Sequence, residues 1–71
     1  MEYFLVEIVD GQFIGLHKYE SRDEAIENGG TMGTANSDFD YHTVCRYLDK
    51  CGVFNSNNLT EGYCLYLTTL S

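Results

Sequence analysis

Four side chains have the types for nucleophilic or metal chemistry: His42, Cys45, Cys51 and Cys64. Their order, His-x2-Cys-x5-Cys-x12-Cys, offers zinc suitable donors but not the closely spaced ligand pairs of a structural zinc site. On a helix His42 and Cys45 would share a face, which allows part of a site. Cysteine as a small buried hydrophobe is the expected role, with no bound metal and no cofactor. A thiolate nucleophile needs an electropositive setting, and the acidic field of this chain raises a thiol pKa instead. No disulfide framework is expected from an odd number of cysteines without a CxxC, so three free thiols are predicted.

Carboxylates are the other reactive resource. Glu20, Asp23, Glu24 and Glu27 fall at i, i+3, i+4 and i+7, a spacing that gathers them on one helical face. With Asp38 and Asp40 they make six of the eleven acids, against Arg22 as the one base between residues 20 and 40. Paired carboxylates serve acid–base catalysis when held in a closed pocket. Here they lie on a face expected to be exposed, so the chain is not expected to be an enzyme. An extended acidic face instead suits binding of a basic partner, and its plain alternative is a solvated helix surface.

The elements that must position these residues follow from the pattern. EYFLVEIV (Glu2–Val9) and QFIGLHKY (Gln12–Tyr19) are rich in β-branched and aromatic residues and flank Asp10-Gly11, so they read as a hairpin. A two-residue loop would set Ile8 against Phe13 and Val6 against Gly15. A three-residue loop, Val9-Asp10-Gly11, would set Val6 against Ile14, Phe4 against Leu16 and Glu2 against Lys18. The second register is preferred, because it collects Phe4, Val6, Ile8, Ile14 and Leu16 on one face and pairs opposite charges.

Ser21-x-x-Glu24 is a capping-box pattern that opens a short helix over residues 21–28, ended by Gly29-Gly30. Residues 29–36, GGTMGTAN, read as a connector. They lack the features of a phosphate loop. A second helix is predicted from Asp38 to Cys51, capped by Ser37. Its buried stripe is Tyr41, Val44, Cys45, Leu48 and Cys51, and Phe39 falls on the opposite side with His42, Arg46 and Lys50. Gly52 ends it, with Val53 packing back on Leu48. Residues 55–62 read as loop. They include the sequon Asn58-Leu59-Thr60, which has meaning only in a secreted protein. YCLYLTTL, residues 63–70, closes the chain as a strand.

The order ββααβ predicts a single small α+β domain over residues 1–71: a three-stranded antiparallel sheet, order 2-1-3, with both helices on one face. The first strand is apolar on both faces, as suits a central strand or one whose second face meets another subunit. A domain of 71 residues buries a limited core. A tendency to form a homodimer is therefore expected, through Tyr3, Leu5, Val9 and the closing strand.

Composition narrows the partner. The net charge is −7, with four scattered bases, which disfavours direct binding to nucleic acid and to anionic membrane. The N-terminus has no basic segment followed by an apolar run, and no stretch is apolar enough to span a bilayer, so a cytoplasmic location is expected.

Small size, low pI and an acidic helical stripe resemble the phage-encoded DNA-mimic proteins, host-takeover inhibitors that share charge layout rather than sequence. The resemblance implies an acidic decoy, acting in the host bacterial cytoplasm. It would occupy the DNA site of a basic host protein such as a histone-like nucleoid protein, a restriction or CRISPR component, or a polymerase. Glu20, Asp23, Glu24, Glu27, Asp38 and Asp40 would stand in for phosphates. The alternative is a small protein–protein adaptor working through an aromatic surface that includes Phe39.

Overall fold

The computed structural model describes residues 1–56 and 62–70. The sequon, at 58–60, lies outside the described residues. The elements are β1 (Glu2–Val9), β2 (Gln12–Tyr19), α1 (Arg22–Ala35), α2 (Tyr41–Cys51), β3 (Val53–Asn55) and β4 (Tyr63–Leu70). They form an α+β domain whose antiparallel sheet has the order β2-β1-β4-β3. The first strand is central and the closing strand pairs beside it, as the sequence indicates. The sheet nevertheless has four strands rather than three, because Val53–Asn55 adds an edge strand to β4.

The preferred three-residue register does not form at any pair, and the two-residue register holds only beside the turn. Asp10 and Gly11 both take positive φ, 51° and 78°, which makes a two-residue turn with Val9 opposite Gln12 and Ile8 opposite Phe13. A bulge at Ile14 then shifts the ladder, so that Glu7 faces Gly15 and Val6 faces Leu16. Without the bulge Leu16 would point to the same side as Leu5. With it, His17 and Tyr19 turn to that side and Leu16 turns away. Glu2 and Lys18 still meet, as a 2.8 Å ion pair between exposed side chains.

The core lies between the sheet and the two helices. It consists of Leu5, Val44, Leu48, Phe54, Tyr63 and Leu65, with Val9, Tyr19, Ile26, Met32, Phe39 and Leu67 packed around it. Leu5 is fully buried, so it is not available for dimerisation. Of the expected grouping, Phe4, Val6, Ile8 and Leu16 share one face, whereas Ile14 is the unpaired bulge residue; that face is turned away from the helices. Tyr3, Leu5 and Val9 share the covered face.

The largest correction concerns α1. It does not stop at Gly29-Gly30 but continues to Ala35, and residues 29–35 are helical rather than a connector. Gly29, Gly30 and Gly33 are all buried. A Cβ on Gly30 would lie 2.5 Å from Cys45 Sγ, and one on Gly33 would lie 2.5 Å from Val44 Cγ1; one on Gly29 would overlap Leu48. Glycine costs about 1 kcal/mol relative to alanine in a helix interior. Close approach of α2 and the packing it permits offset that cost.

The second helix starts later than expected, at Tyr41. Its cap is Asp40, whose carboxylate accepts from the Thr43 amide at 2.7 Å, rather than Ser37. Val44 and Leu48 are its buried residues, Cys45 is half-buried, and Tyr41 and Cys51 are exposed. Gly52 closes it in the left-handed region, donating to the Leu48 carbonyl at 3.1 Å. Val53 continues into β3, opposite Tyr66, rather than packing back on Leu48. Phe39 precedes the helix and packs edge-on against buried Phe54, with ring centroids 5.4 Å apart. It is therefore a core-flanking residue and not an exposed anchor.

Candidate functional site

The helical layer carries the acidic residues. Ser21 takes extended backbone angles and accepts from the Glu24 amide at 3.1 Å, which starts α1. Asp23 and Glu24 then occupy its first turn, where the helix dipole favours negative charge. Burial of Ala25, Gly29, Gly30 and Gly33 fixes the opposite side of the helix against the core. Asp23, Glu24 and Glu27 are left in an exposed arc. Its limits are visible in what each acid neighbours. Asp23 borders the groove between the helices, lined also by Ile26, His42, Cys45, Arg46, Asp49 and Lys50. Glu24 lies toward β2, where its charge adds to burial in raising the Tyr19 phenol above its usual pKa. Glu27 acts similarly on Tyr41 across the helix pair, behind the Cys45 hydrogen bond and desolvation.

The remaining acids do not prolong this arc. Glu20 ends the segment before the helix cap and is not on α1. Asp38 and Asp40 follow the end of α1, beyond eight further residues, about 12 Å of helix, that carry no acid. The structure thus divides the six residues into a group at the start of α1 and a pair at the start of α2. Asp40 is committed to its cap. The hydrogen bonds from Thr43 hold its carboxyl below the usual range.

All six side chains are exposed, and among the described residues none forms an ion pair with a base. Arg22 lies in the same stretch but reaches across to α2, donating to Asp49 Oδ1 at 2.6 Å and to the Asp49 carbonyl at 2.7 Å. It clamps the start of α1 to the end of α2 and does not neutralise the acidic arc. His42, Arg46 and Lys50 are not scattered. They recur every four residues along the exposed side of α2. Their spacing was readable in the sequence and marks where the acidic surface ends.

A second polar cluster had no local signal. Tyr63 is 3% exposed, and its hydroxyl donates to Glu7 Oε2 at 2.5 Å. His17 Nε2 lies 3.0 Å from the other Glu7 oxygen. Gly15 makes room for the bridge, since a Cβ there would come within 3.0 Å of the imidazole and 3.2 Å of the carboxylate. Burial, then the Glu7 hydrogen bond and charge, push the Tyr63 phenol far above its usual pKa. At neutral pH Tyr63 is a fixed donor that satisfies a carboxylate at the core margin. The cluster joins residues 10 and 56 positions apart, so only the sheet register brings it together.

The cysteines occupy three different settings. Cys45 is half-buried and its Sγ donates to the Ile26 carbonyl at 3.5 Å, Cys51 is exposed, and Cys64 is half-buried on β4. Among the described residues no cluster of His, Cys, Asp or Glu has a metal-binding arrangement, and no helix is long and apolar enough to cross a membrane. Comparisons with protein-family models, with curated proteins and with solved structures find no match to this chain.

Proposed function

We propose that this protein is an acidic decoy, which binds a basic DNA-binding protein and blocks its access to DNA. One observation carries the reading: six exposed carboxylates, Glu20, Asp23, Glu24, Glu27, Asp38 and Asp40, without a base paired to any of them among the described residues. A basic protein that neutralises DNA phosphates with Lys and Arg can turn the same cations to this surface, through an attraction that salt screens. The action needs no catalysis and no cofactor, and it fits the cytoplasm of a bacterial host. The split between the two acidic groups restricts the contact to two patches rather than one continuous row.

The test replaces Asp23 and Glu27 by Lys and Glu24 by Gln. The Gln avoids placing a third cation in the first turn of α1, where the helix dipole disfavours positive charge. The substitutions add two, two and one units, so the net charge moves from −7 to −2. A histone-like nucleoid protein or a polymerase bound to labelled duplex serves as the target, and displacement is read by anisotropy. The parent chain should displace the duplex at low salt and lose that ability as salt rises. The folded variant should fail at both. A folded variant that still displaces DNA would remove the acidic arc as the site.

A second reading is a protein–protein adaptor. It is favoured by large apolar side chains open to solvent on the sheet: Phe13 at 63%, Leu16 at 57% and Tyr66 at 43% exposed. These replace Phe39 as anchors. Docking through them would persist at high salt, in contrast to the decoy.

A further inference from the structure

The face of the sheet opposite the helices exposes the large apolar side chains Phe13, Leu16 and Tyr66, and no element of the described chain covers it. Strand alternation defines it. Leu5, Tyr63 and Leu65 point into the core, so Val6, Cys64 and Tyr66 point the other way. One row crosses all four strands: Leu16, Val6, Tyr66 and Val53 are successive partners. A parallel row brings Phe13 beside Ile8 and Cys64.

We propose that a second copy of this chain covers this face, in a two-fold dimer whose sheets stack with the helical layers outward. This stands whether or not the acidic arc is a decoy. Three observations select a second copy. The first is charge. The chain carries −7, so two copies repel unless they meet where charge is low. The helical layer carries the unpaired acids, whereas the charges on the open sheet face among the described residues are Glu2 and Lys18, which pair with each other. Stacking by the sheets therefore brings the near-neutral faces together and sets the acids at opposite poles.

The second is extent. Three strands of eight residues and one of three, at ~4.8 Å between strands and ~3.3 Å per residue, give a flat area of roughly 430 Å² per copy. The pair covers about 850 Å², and the relief of the side chains raises the accessible area lost toward the ~1,200 Å² where specific interfaces begin. An interface of this size lies at the weak end of stable association, with a dissociation constant on the order of micromolar. The third is the state of the edges. The long free edge, β2, is interrupted by the Ile14 bulge, and β3 is three residues long. Both features disfavour edge-to-edge pairing, which would in any case leave the apolar face open. Face-to-face packing at about 10 Å, the spacing of stacked sheets, covers it.

The experiment is sedimentation equilibrium of the parent chain and of the double variant Leu16→Lys/Tyr66→Lys. Both side chains are exposed in the monomer, so the substitutions spare its core. The parent chain should dimerise in the micromolar range, more tightly as salt screens the like charges. The variant should dimerise at least tenfold more weakly. A parent chain that stays monomeric at millimolar concentration, a dimer weakened by salt, or a folded variant that dimerises as well as the parent would each overturn the proposal. Alkylation gives a readout on the unmodified chain, so a variant that fails to fold does not leave the question open. Cys64 lies on the proposed interface, and Cys51 is exposed at the end of α2. Across the dimerisation range the Cys64 rate should fall several-fold relative to Cys51. A constant ratio in a sample shown to be dimeric places the interface elsewhere and refutes the proposal.

Discussion

Replacing Gly33 by Ala tests the packing that extends α1 past its expected end. On propensity alone the change stabilises a helix interior by about 1 kcal/mol. The surroundings oppose this. The new Cβ would lie 2.5 Å from Val44 Cγ1, 3.0 Å from Val44 Cγ2 and 3.3 Å from Phe54 Cε2. Val44 and Phe54 are fully buried, and a β-branched valine has one strongly preferred rotamer in a helix. The methyl can be accommodated only by moving the helices apart. Overpacking of this kind costs about 1–3 kcal/mol, and separating the helices also loosens Leu48 against Gly29. The net expectation is destabilisation of about 1–2 kcal/mol. In a domain of this size that lowers Tm by roughly 5–15 °C. Gly30→Ala should cost less, because its Cβ would meet half-buried Cys45 and exposed Tyr41 rather than fully buried side chains. Thermal unfolding followed by circular dichroism measures both. A double-mutant cycle with Val44→Ala supplies the control, since removing both valine methyls should relieve the clash and leave the pair less destabilised than the sum of its parts. A Gly33→Ala protein more stable than the parent would show that the helices do not approach closely there, and the account of α1 would fall.

Asp40→Asn should flatten part of the acid limb of the stability–pH curve. The Thr43 hydrogen bonds hold the Asp40 carboxyl below its unfolded value, so its contribution is present above about pH 4 and is lost as pH falls through the folded pKa. Denaturant unfolding between pH 2 and 6, where carboxylates titrate, should show a smaller acid loss for the variant than for the parent. Tyr63→Phe should destabilise by about 1–3 kcal/mol by removing the donor to Glu7. The same residue should stay un-ionised in an ultraviolet phenolate titration after exposed tyrosines have ionised. Its raised folded pKa means that the linked stability is complete below about pH 10 and drains away as pH rises above it. Gly11→Ala meets no neighbouring atom but must adopt a φ of +78°, and about 1 kcal/mol of hairpin stability should be lost in chemical denaturation.

Local chemistry determined much of this molecule. Asp10-Gly11 is the one pair between β1 and β2 suited to two positive φ angles, and it makes the turn. Ser21 and Gly52 cap their helices because one offers a hydroxyl to a free amide and the other accepts the left-handed region without strain. Two-faced apolarity marked β1 as central, and the helical spacing of Asp23, Glu24 and Glu27 gave their shared exposed arc. Tertiary structure decided what local preference could not. Gly29-Gly30 reads as a stop until Leu48, Cys45 and Tyr41 arrive against it, since only a neighbouring helix makes a missing side chain an advantage. The bulge at Ile14 is another feature that shows only in the paired sheet. It turns His17 toward Glu7 and Leu16 toward solvent. Nothing along β1 says which of its two apolar faces receives the helices. That depends on Phe54, Tyr63 and Leu65, which complete the core with Leu5 from the last two strands of the sequence. The Glu7–Tyr63–His17 cluster and the open sheet face are both products of that choice. Neither exists in any short stretch of sequence, because their members meet only across the sheet.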